Sequence, residues 1–385
     1  MTHRPLVSVL LYISISLILL LSACSNTQEA DPALFEGARE ISLSEIKEAR
    51  LIQDESFSIG SYGSINDIGA VTADEIGNVY VVNEYNIRIE VYDEYGNNID
   101  RLGTLGSDPG DYRDPEFLKV QGDHLYAFDN ALNRVNKYTL SELELVGVTE
   151  LGGAIGQLNE DSLNSAKPVR LEVTAAGNYM VGFQLVKSTE DRRLMYYEVN
   201  EDGHIMSDRL LNVPSRNLHV DRAVDPPLIM MMPYEPEQLI LTDSQGRIYN
   251  IDTKHFLVTV LDKSAREIET RYYPVKRQPL IRSEVVDMYT DTFRRRAIRR
   301  ASLPDYWPAL THALVDDQDR LWVASIGPDS DTYRWFILSP NGEPLATFDL
   351  SREKQIVAVV GEKVYIKSFN AGQYSDQVRR YTLNF

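Results

Sequence analysis

The feature that most constrains the fold is a short, strand-like segment with an aromatic residue at its first or second position, which recurs six times along the chain. The six segments are Val79–Val82, Leu125–Phe128, Tyr179–Gly182, Ile248–Ile251, Leu321–Ala324 and Val364–Lys367. Their first residues lie 46, 54, 69, 73 and 43 positions apart. Because a structural repeat of four short strands takes about 40–50 residues, the two longest intervals are predicted to contain insertions.

Turn sequences precede these segments and also follow the next strand of each repeat. The turns before the segments include Asp74–Asn78, Ala175–Asn178, Asp243–Arg247 and Asp316–Arg320, and the later set includes Asp93–Gly96, Glu201–Gly203 and Pro340–Gly342. Asp and Asn side chains bind their own backbone and Gly adopts positive φ, so such sequences are typical of tight hairpins between antiparallel strands. The chain is therefore predicted to be all-β.

The first repeat is the most complete of the six. It comprises Ala73–Asn83, Asn86–Asp93 and Leu102–Asp111, ends at Pro115, and resembles one full NHL repeat. The second repeat keeps Asp129, Asn133–Val135 and Tyr138 of that pattern. The chain as a whole resembles the six-bladed β-propeller lipoproteins of Bacteroidetes and related bacteria. This resemblance implies one domain, residues 41–385, built as a six-bladed β-propeller of four-stranded antiparallel blades, and it specifies a fold rather than an activity.

The last repeat indicates how such a ring would close. It supplies three strands, at Gln355–Val360, Lys363–Phe369 and Gln377–Leu383. The segment from Ala49 to Ile59, before the first repeat, is free to add a fourth strand. That addition would leave no large sheet edge exposed at the seam.

Residues 1–23 are excluded from the fold because they form a predicted lipoprotein signal peptide. An apolar run from Leu6 to Leu21 follows a short cationic start. It ends in Leu21-Ser22-Ala23-Cys24, which resembles the lipobox of bacterial lipoproteins, and Cys24 is the one cysteine in 385 residues. An ordinary secretory signal or an uncleaved anchor helix would explain the run as well. Residues 24–40 are predicted to be a tether.

These features predict a location and a class of partner. The lipid on Cys24 would anchor the protein in the bacterial cell envelope, at the periplasmic face of a membrane or at the cell surface. The formal net charge of −18 opposes binding to nucleic acid, which attracts basic surfaces. The expected partners are therefore the membrane, through the lipid, and an envelope protein, peptide or glycan.

The two insertions are predicted at about residues 207–236 and 266–308. The first is rich in Pro and Met and is expected to be a loop or lid rather than a strand. The second is expected to contain one helix near residues 283–300, with Ser283 as its cap and with Val285, Met288 and Phe293 on one apolar face. Both insertions are expected to lie close together on one face of the ring.

Residues that could carry chemistry are few. Zinc lyases that resemble this chain in blade pattern surround a central metal with several His, whereas of six His here His312 alone begins a predicted inner strand. Lactonase-like propellers hold a divalent cation with Glu, Asn and Asp at inner strand ends. The acidic residues near such ends are Glu116, Glu172, Glu237 and Asp67, and the matching Asn–Asp pair is missing. We therefore predict no catalytic residue, metal site or cofactor.

Seven residues are candidates for ligand binding. Arg170 and His312 flank inner strands and would point into the axial channel or simply line it. Tyr234, Tyr306 and Trp307 would form an aromatic rim or plug an insertion onto a blade. Arg295 and Arg299 would form an anion or partner patch, or complement the helix dipole.

The function that these residues favour is a membrane-anchored binding or scaffolding module for a protein, peptide or glycan. The alternative is a metal-assisted lyase or hydrolase, lactonase-like, with its site in the axial channel.

Overall fold

A computed structural model describes residues 35–60, 65, 67–158, 166–329, 331–370 and 374–384. The predicted signal peptide and Cys24 lie outside these residues. The chain separates into two compact units, Met1–Gly37 and Ala38–Phe385, and in the first of them residues 35–37 form a turn. In the described part of the chain, no helix is long and apolar enough to cross a membrane.

The second unit is a six-bladed β-propeller, as the sequence predicts. Each blade is a four-stranded antiparallel sheet, and in blades 1 to 5 the strands follow chain order. Blade 1 consists of Ile68–Ala73, Val79–Asn83, Arg88–Tyr92 and Asn98–Leu102; blade 2 of Pro115–Gln121, His124–Asp129, Arg134–Thr139 and Leu145–Glu150; blade 3 of Lys167–Val173, Tyr179–Val186, Arg192–Val199 and Leu211–Pro214. Blade 4 consists of Gln238–Thr242, Ile248–Asp252, Leu257–Leu261 and Glu267–Tyr272; blade 5 of His312–Val315, Leu321–Ile326, Thr332–Leu338 and Pro344–Ser351. A 3₁₀ helix, Ile155–Leu158, follows blade 2.

The first strand of each blade is the innermost, because first strands of neighbouring blades contact one another around the axis. The connections between blades therefore lie at one end of the axial channel, together with the turns between second and third strands. Both insertions occur in connections between blades, so we call this end the insertion face. The turns between first and second strands lie at the opposite face.

The N-terminal segment closes the ring, which confirms the sequence prediction. Blade 6 consists of Lys354–Val360, Lys363–Asn370, Ser375–Asn384 and, as its outermost strand, Arg50–Ile59. The pairing runs from Arg50 opposite Asn384 to Ile59 opposite Val378. At an irregularity in this pairing, Asp54 accepts a hydrogen bond of 2.6 Å from Nη2 of Arg380. The seam is thus joined by a backbone ladder and an ion pair.

The residues before this strand run along the outer edges of two further blades. Arg39–Glu40 pairs in parallel with the outermost strand of blade 4. Thr347 of blade 5 accepts from the backbone N–H of Ala49 at 2.8 Å and donates to the carbonyl of Lys47 at 2.9 Å. Residues 39–59 therefore form a belt across blades 4, 5 and 6, and strand pairing begins at Arg39, inside the predicted tether.

An aspartate opens the turn between the first and second strands in blades 1, 4 and 5. One carboxylate oxygen accepts hydrogen bonds from backbone N–H groups of the turn. The other accepts a hydrogen bond from the side chain of the aromatic residue six positions later, which donates through the Tyr hydroxyl or the Trp indole N–H. The pairs are Asp74–Tyr80 at 3.0 Å, Asp243–Tyr249 at 3.0 Å and Asp316–Trp322 at 2.7 Å. These rings are at most 1% exposed. These three of the six recurrent aromatics are therefore blade-packing residues tied to the turn that precedes them.

Two glycines in the later set of turns permit close packing between blades. Gly96 and Gly203 have φ of +84° and +79°. A Cβ atom at Gly96 would lie 2.6 Å from the carbonyl oxygen of Ser58, and one at Gly203 would lie 2.5 Å from that of Glu150. Each contact is made with the outermost strand of the preceding blade, so a larger residue at either position would push two blades apart.

The insertions are shorter than the sequence indicated, because each predicted range begins inside a blade. Leu211–Pro214 is the outermost strand of blade 3, and Glu267–Tyr272 is that of blade 4. The first insertion also contains a small hairpin, His219–Asp221 paired with Leu228–Met230. The expectation of a loop without strands was wrong, because its prolines lie outside these short strands.

The predicted single helix is two helices, Arg282–Asp287 and Thr292–Arg300. The cap of the first is Ile281, not Ser283, and it makes no side-chain hydrogen bond. Asp291 begins the second helix by accepting a 2.7 Å hydrogen bond from the N–H of Arg294. Because a new helix begins at this cap, the residues of the predicted apolar face do not lie on one helix. Val285 is buried, but Met288 and Phe293 are 47% and 56% exposed.

Candidate functional site

The two insertions fold into one body, which we call the insertion module (residues 215–237 and 273–311). Its core is a single apolar cluster formed by Met230, Met232, Tyr234, Val285, Val286, Ala297, Ile298, Ala301 and Trp307, closed by Ile326 of blade 5. Arg300 of the second helix forms an ion pair with Asp221 of the hairpin. The prediction that the insertions lie together on one face of the ring is therefore confirmed.

A cleft of about 180 Å³ lies where the module meets blades 4 and 5 at the mouth of the axial channel. Both insertions, blades 4 and 5 and the connection to blade 6 border the cleft. The first insertion contributes Arg216, Pro233, Glu235 and Glu237, and the second contributes Met288, Trp307, Pro308, Leu310 and Thr311; the other lining residues are Thr253 of blade 4, His312 and Tyr333 of blade 5, and Arg352 before blade 6. A neighbouring hollow shares His312, Tyr333 and Arg352 and adds Trp335, Lys354 and Gln355.

Three cationic side chains from different parts of the chain lie here: Arg216 and Arg352 border the cleft, and Lys354 borders the neighbouring hollow. Arg216 forms an ion pair with Glu237. The guanidinium carbon of Arg352 lies 4.8 Å from the ring centre of Trp307 and 5.3 Å from that of Tyr333. Lys354 lies over the ring of Tyr381 at 5.6 Å. A cation that lies over an aromatic ring is attracted to the face of that ring. The surrounding aromatic residues therefore hold Arg352 and Lys354 in place.

His312 lies among these cations and is held neutral. Its Nδ1 is 3.0 Å from the hydroxyl oxygen of Thr311, and its ring meets that of Tyr333 edge to face at 4.9 Å. Burial, together with the nearby charges of Arg216 and Arg352, lowers the pKa of His312 to about 4. At neutral pH the imidazole can therefore both donate and accept a hydrogen bond.

The linings of the cleft and of the neighbouring hollow have more hydrogen-bond donors than acceptors to pair with them. Nε of Arg216 and Nε1 of Trp307 and Trp335 are buried and have no acceptor among the described residues. Glu235 is the one further carboxyl at the cleft besides Glu237, and burial raises its pKa, with His219 and Arg216 partly offsetting the shift. Buried donors without acceptors are costly, so an acceptor placed here would be favourable.

Deeper in the channel the inner strands carry a second set of ionisable groups. Arg170 is exposed, and its charge partly offsets the rise in the pKa of Glu116 that burial causes. Glu172 accepts a 3.3 Å hydrogen bond from Thr242 of blade 4. Burial raises the pKa of Glu172 to about 7, and the nearby charge of Lys119 opposes this. Arg170 is therefore an exposed residue of an inner strand, and it does not border the cleft.

The aromatic candidates lie in the insertion module. Tyr234 and Trp307 are 3% and 1% exposed, so they do not form an exposed rim; they plug the module together. Trp307 still borders the cleft, where Arg352 covers its ring. Tyr306 is partly exposed and lies under Arg277, whose guanidinium carbon is 5.3 Å from the ring centre.

The arginine candidates lie on the second helix, outside the cleft. Arg295 donates to the carbonyl of Tyr289 at 3.0 Å and to Asp287 at 3.1 Å, so it joins the two helices. Arg299 is exposed in the last turn and forms no ion pair with any described residue. The first therefore has a structural role, and the second is free to meet a partner.

Sequence reasoning missed Arg216, Arg352 and Lys354. Arg352 and Lys354 flank the inner strand of blade 6, the same property that singled out Arg170 and His312, so this criterion applied to every blade would have found them. Arg216 lies far along the sequence from the inner strand of blade 4 that it precedes, and no sequence signal identifies it. In the described part of the chain, no group of three or more His, Cys, Asp or Glu is placed to hold a metal.

No protein-family model and no curated protein matches the sequence. Among solved structures, a protein of Bacteroides fragilis named as an exported protein aligns with a TM-score of 0.51 and 10% identity, over 90% of this chain and 99% of that chain. A member of the DUF4221 family from Bacteroides vulgatus aligns at 0.46 and 12%, over 88% and 99%. Virginiamycin B lyase from Staphylococcus aureus aligns at 0.42 and 11%, over 87% and 99%. At such identities the likeness shows the propeller fold alone.

Proposed function

We propose that this chain is a binding module of the bacterial cell envelope, and that its ligand enters the cleft beneath the insertion module. The observation that carries the proposal is the convergence of two insertions and two blades on one concave site. The blades resemble one another, whereas the insertions do not. Irregular loops on a rigid scaffold are the segments that most often carry binding specificity. The expected ligand is an envelope peptide, glycan or protein segment. The metal-assisted lyase or hydrolase has no observation in its favour.

The proposal can be tested by site-specific photocrosslinking in cells. A benzophenone amino acid would replace Gln355, which is exposed beside the cleft. The matched control replaces Gln245, which is exposed in a turn on the opposite face. We expect the first position to give a discrete adduct that saturates with expression level and the second to give none. Identical adducts at both positions, or no adduct at the cleft, would contradict the proposal.

We further propose that a lipid on Cys24 holds the module at a membrane. The support is the lone cysteine after Leu21-Ser22-Ala23, since acyl chains anchor a protein by about 0.8 kcal/mol per buried methylene. Labelling with a fatty-acid analogue should mark the wild type and not Cys24→Ser, which should move to the soluble fraction or keep its signal peptide. Equal labelling of the two proteins would rule this anchor out.

A further inference from the structure

We infer that the cleft recognises an anionic group, a carboxylate or a phosphate, which binds among Arg216, Arg352 and Lys354 beside His312. This inference rests on the proposed function and names the chemistry of its ligand. Taken together, the linings of the cleft and of the neighbouring hollow hold three cations, Arg216, Arg352 and Lys354, against the two carboxylates of Glu235 and Glu237, which gives this place a positive balance although the whole chain carries a charge of −18. A positive cleft in an acidic protein concentrates field lines and attracts anions to that one place.

The positions of the cations favour recognition of a flat or tetrahedral anion. Arg352 lies against Trp307 and Tyr333, which orients the plane of its guanidinium group. The N–H groups of a guanidinium lie in that plane and pair with two oxygens of a carboxylate or phosphate. Lys354 adds a point charge from the next inner strand, and neutral His312 can donate one more hydrogen bond. The four side chains come from three different connections, so no local turn explains their meeting.

His312 provides a measurable response to binding. The charged and titratable groups around its ring are Arg216, Glu235, Glu237, Tyr333, Arg352 and Lys354. Cations on both sides disfavour a charged imidazole, and an anion placed between them would favour it. Binding and protonation are therefore coupled with the same sign in both directions: the anion should raise the pKa of His312, and the affinity for the ionised form of the probe should rise as the pH falls toward 4.

The experiment follows the His312 ring resonance by NMR across a pH titration of the purified protein, with His312→Gln used to assign the signal. Acetate and phosphate are the two probes, and chloride at equal ionic strength is the control. We expect one or both probes to raise the pKa of His312 by about one pH unit, saturably. A response to acetate alone indicates a carboxylate ligand, and a response to phosphate alone indicates a phosphorylated one.

Variants show whether the response comes from the cleft. Arg352→Gln should raise the pKa of His312 in the free protein and weaken the anion response about tenfold or more, while Arg352→Lys should restore part of it. Arg266→Gln, which removes an exposed arginine from the opposite face, should change neither. The inference is overturned if neither probe moves His312, or if Arg352→Gln responds like the wild type. Either result leaves the binding function standing, because crosslinking at Gln355 tests that function without assuming an anion.

Discussion

Removal of residues 25–60 is expected to abolish cooperative folding of the propeller. The deletion takes away the outermost strand of blade 6, whose Phe57 and Ile59 are at most 1% exposed, and it leaves Arg380 without Asp54. It also uncovers the edges of blades 4 and 5 where the belt runs. Domains of this kind are stable by only about 5–15 kcal/mol, and losing a ten-residue strand with its backbone pairing and these two buried side chains removes an amount of the same order.

The control is removal of residues 25–37 alone, which lie before the first strand pairing at Arg39. This variant should unfold within a few degrees of the full chain. Thermal unfolding followed by circular dichroism, together with gel filtration, measures both effects. A 25–60 deletion that melts in a single sharp transition near that of the full chain would show that the belt does not close the ring.

Trp307→Ala is expected to unfold the insertion module while the blades remain folded. Trp307 is 1% exposed in the cluster that joins the two insertions to blade 5. Replacing a buried Trp by Ala costs about 3–5 kcal/mol, and most of the buried apolar residues of the module lie in this cluster. Arg352 would also lose the ring that it stacks against, so crosslinking at Gln355 should be lost as well.

Hydrogen exchange separates this result from general unfolding. Amides of the two helices, Arg282–Asp287 and Thr292–Arg300, should exchange at least tenfold faster in the variant, while those of Val79–Asn83 in blade 1 should keep their protection. Trp307→Phe, which keeps a ring in the cluster, should have a much smaller effect on both. Uniform loss of protection in every blade would show that the module and ring form one cooperative unit.

Local signals in the chain were enough to predict the blades. The turn aspartates at 74, 243 and 316 and the aromatic residues six positions later act within one hairpin, so their spacing survives in the sequence. Closure by Arg50–Ile59 was predictable for a similar reason, because a three-stranded last repeat requires a partner. The helical insertion was predicted in type but not in bounds, since the Asp291 cap divides a pattern that reads as one helix.

The site was predicted in part. His312 was identified because it begins an inner strand, yet its neutral state depends on burial and on Arg216 and Arg352, which are distant in sequence. Trp307 and Tyr234 were expected either to form an exposed rim or to plug an insertion onto a blade. They are buried, because each insertion is too short to form a core alone and the two use these rings to form one together.

The sequence by itself thus determined the fold class, the number of blades and the mode of closure, since each depends on contacts between residues near one another in the chain or on a repeat. The attachment at Cys24 stays a prediction. Only the tertiary structure decided where charge accumulates. Arg216, His312, Arg352 and Lys354 belong to connections and strands up to 138 residues apart, and the circular arrangement of the blades brings them to one channel mouth. The desolvation and Coulomb interactions that set the chemistry of His312 depend on distances of a few ångströms, which no spacing along the chain encodes.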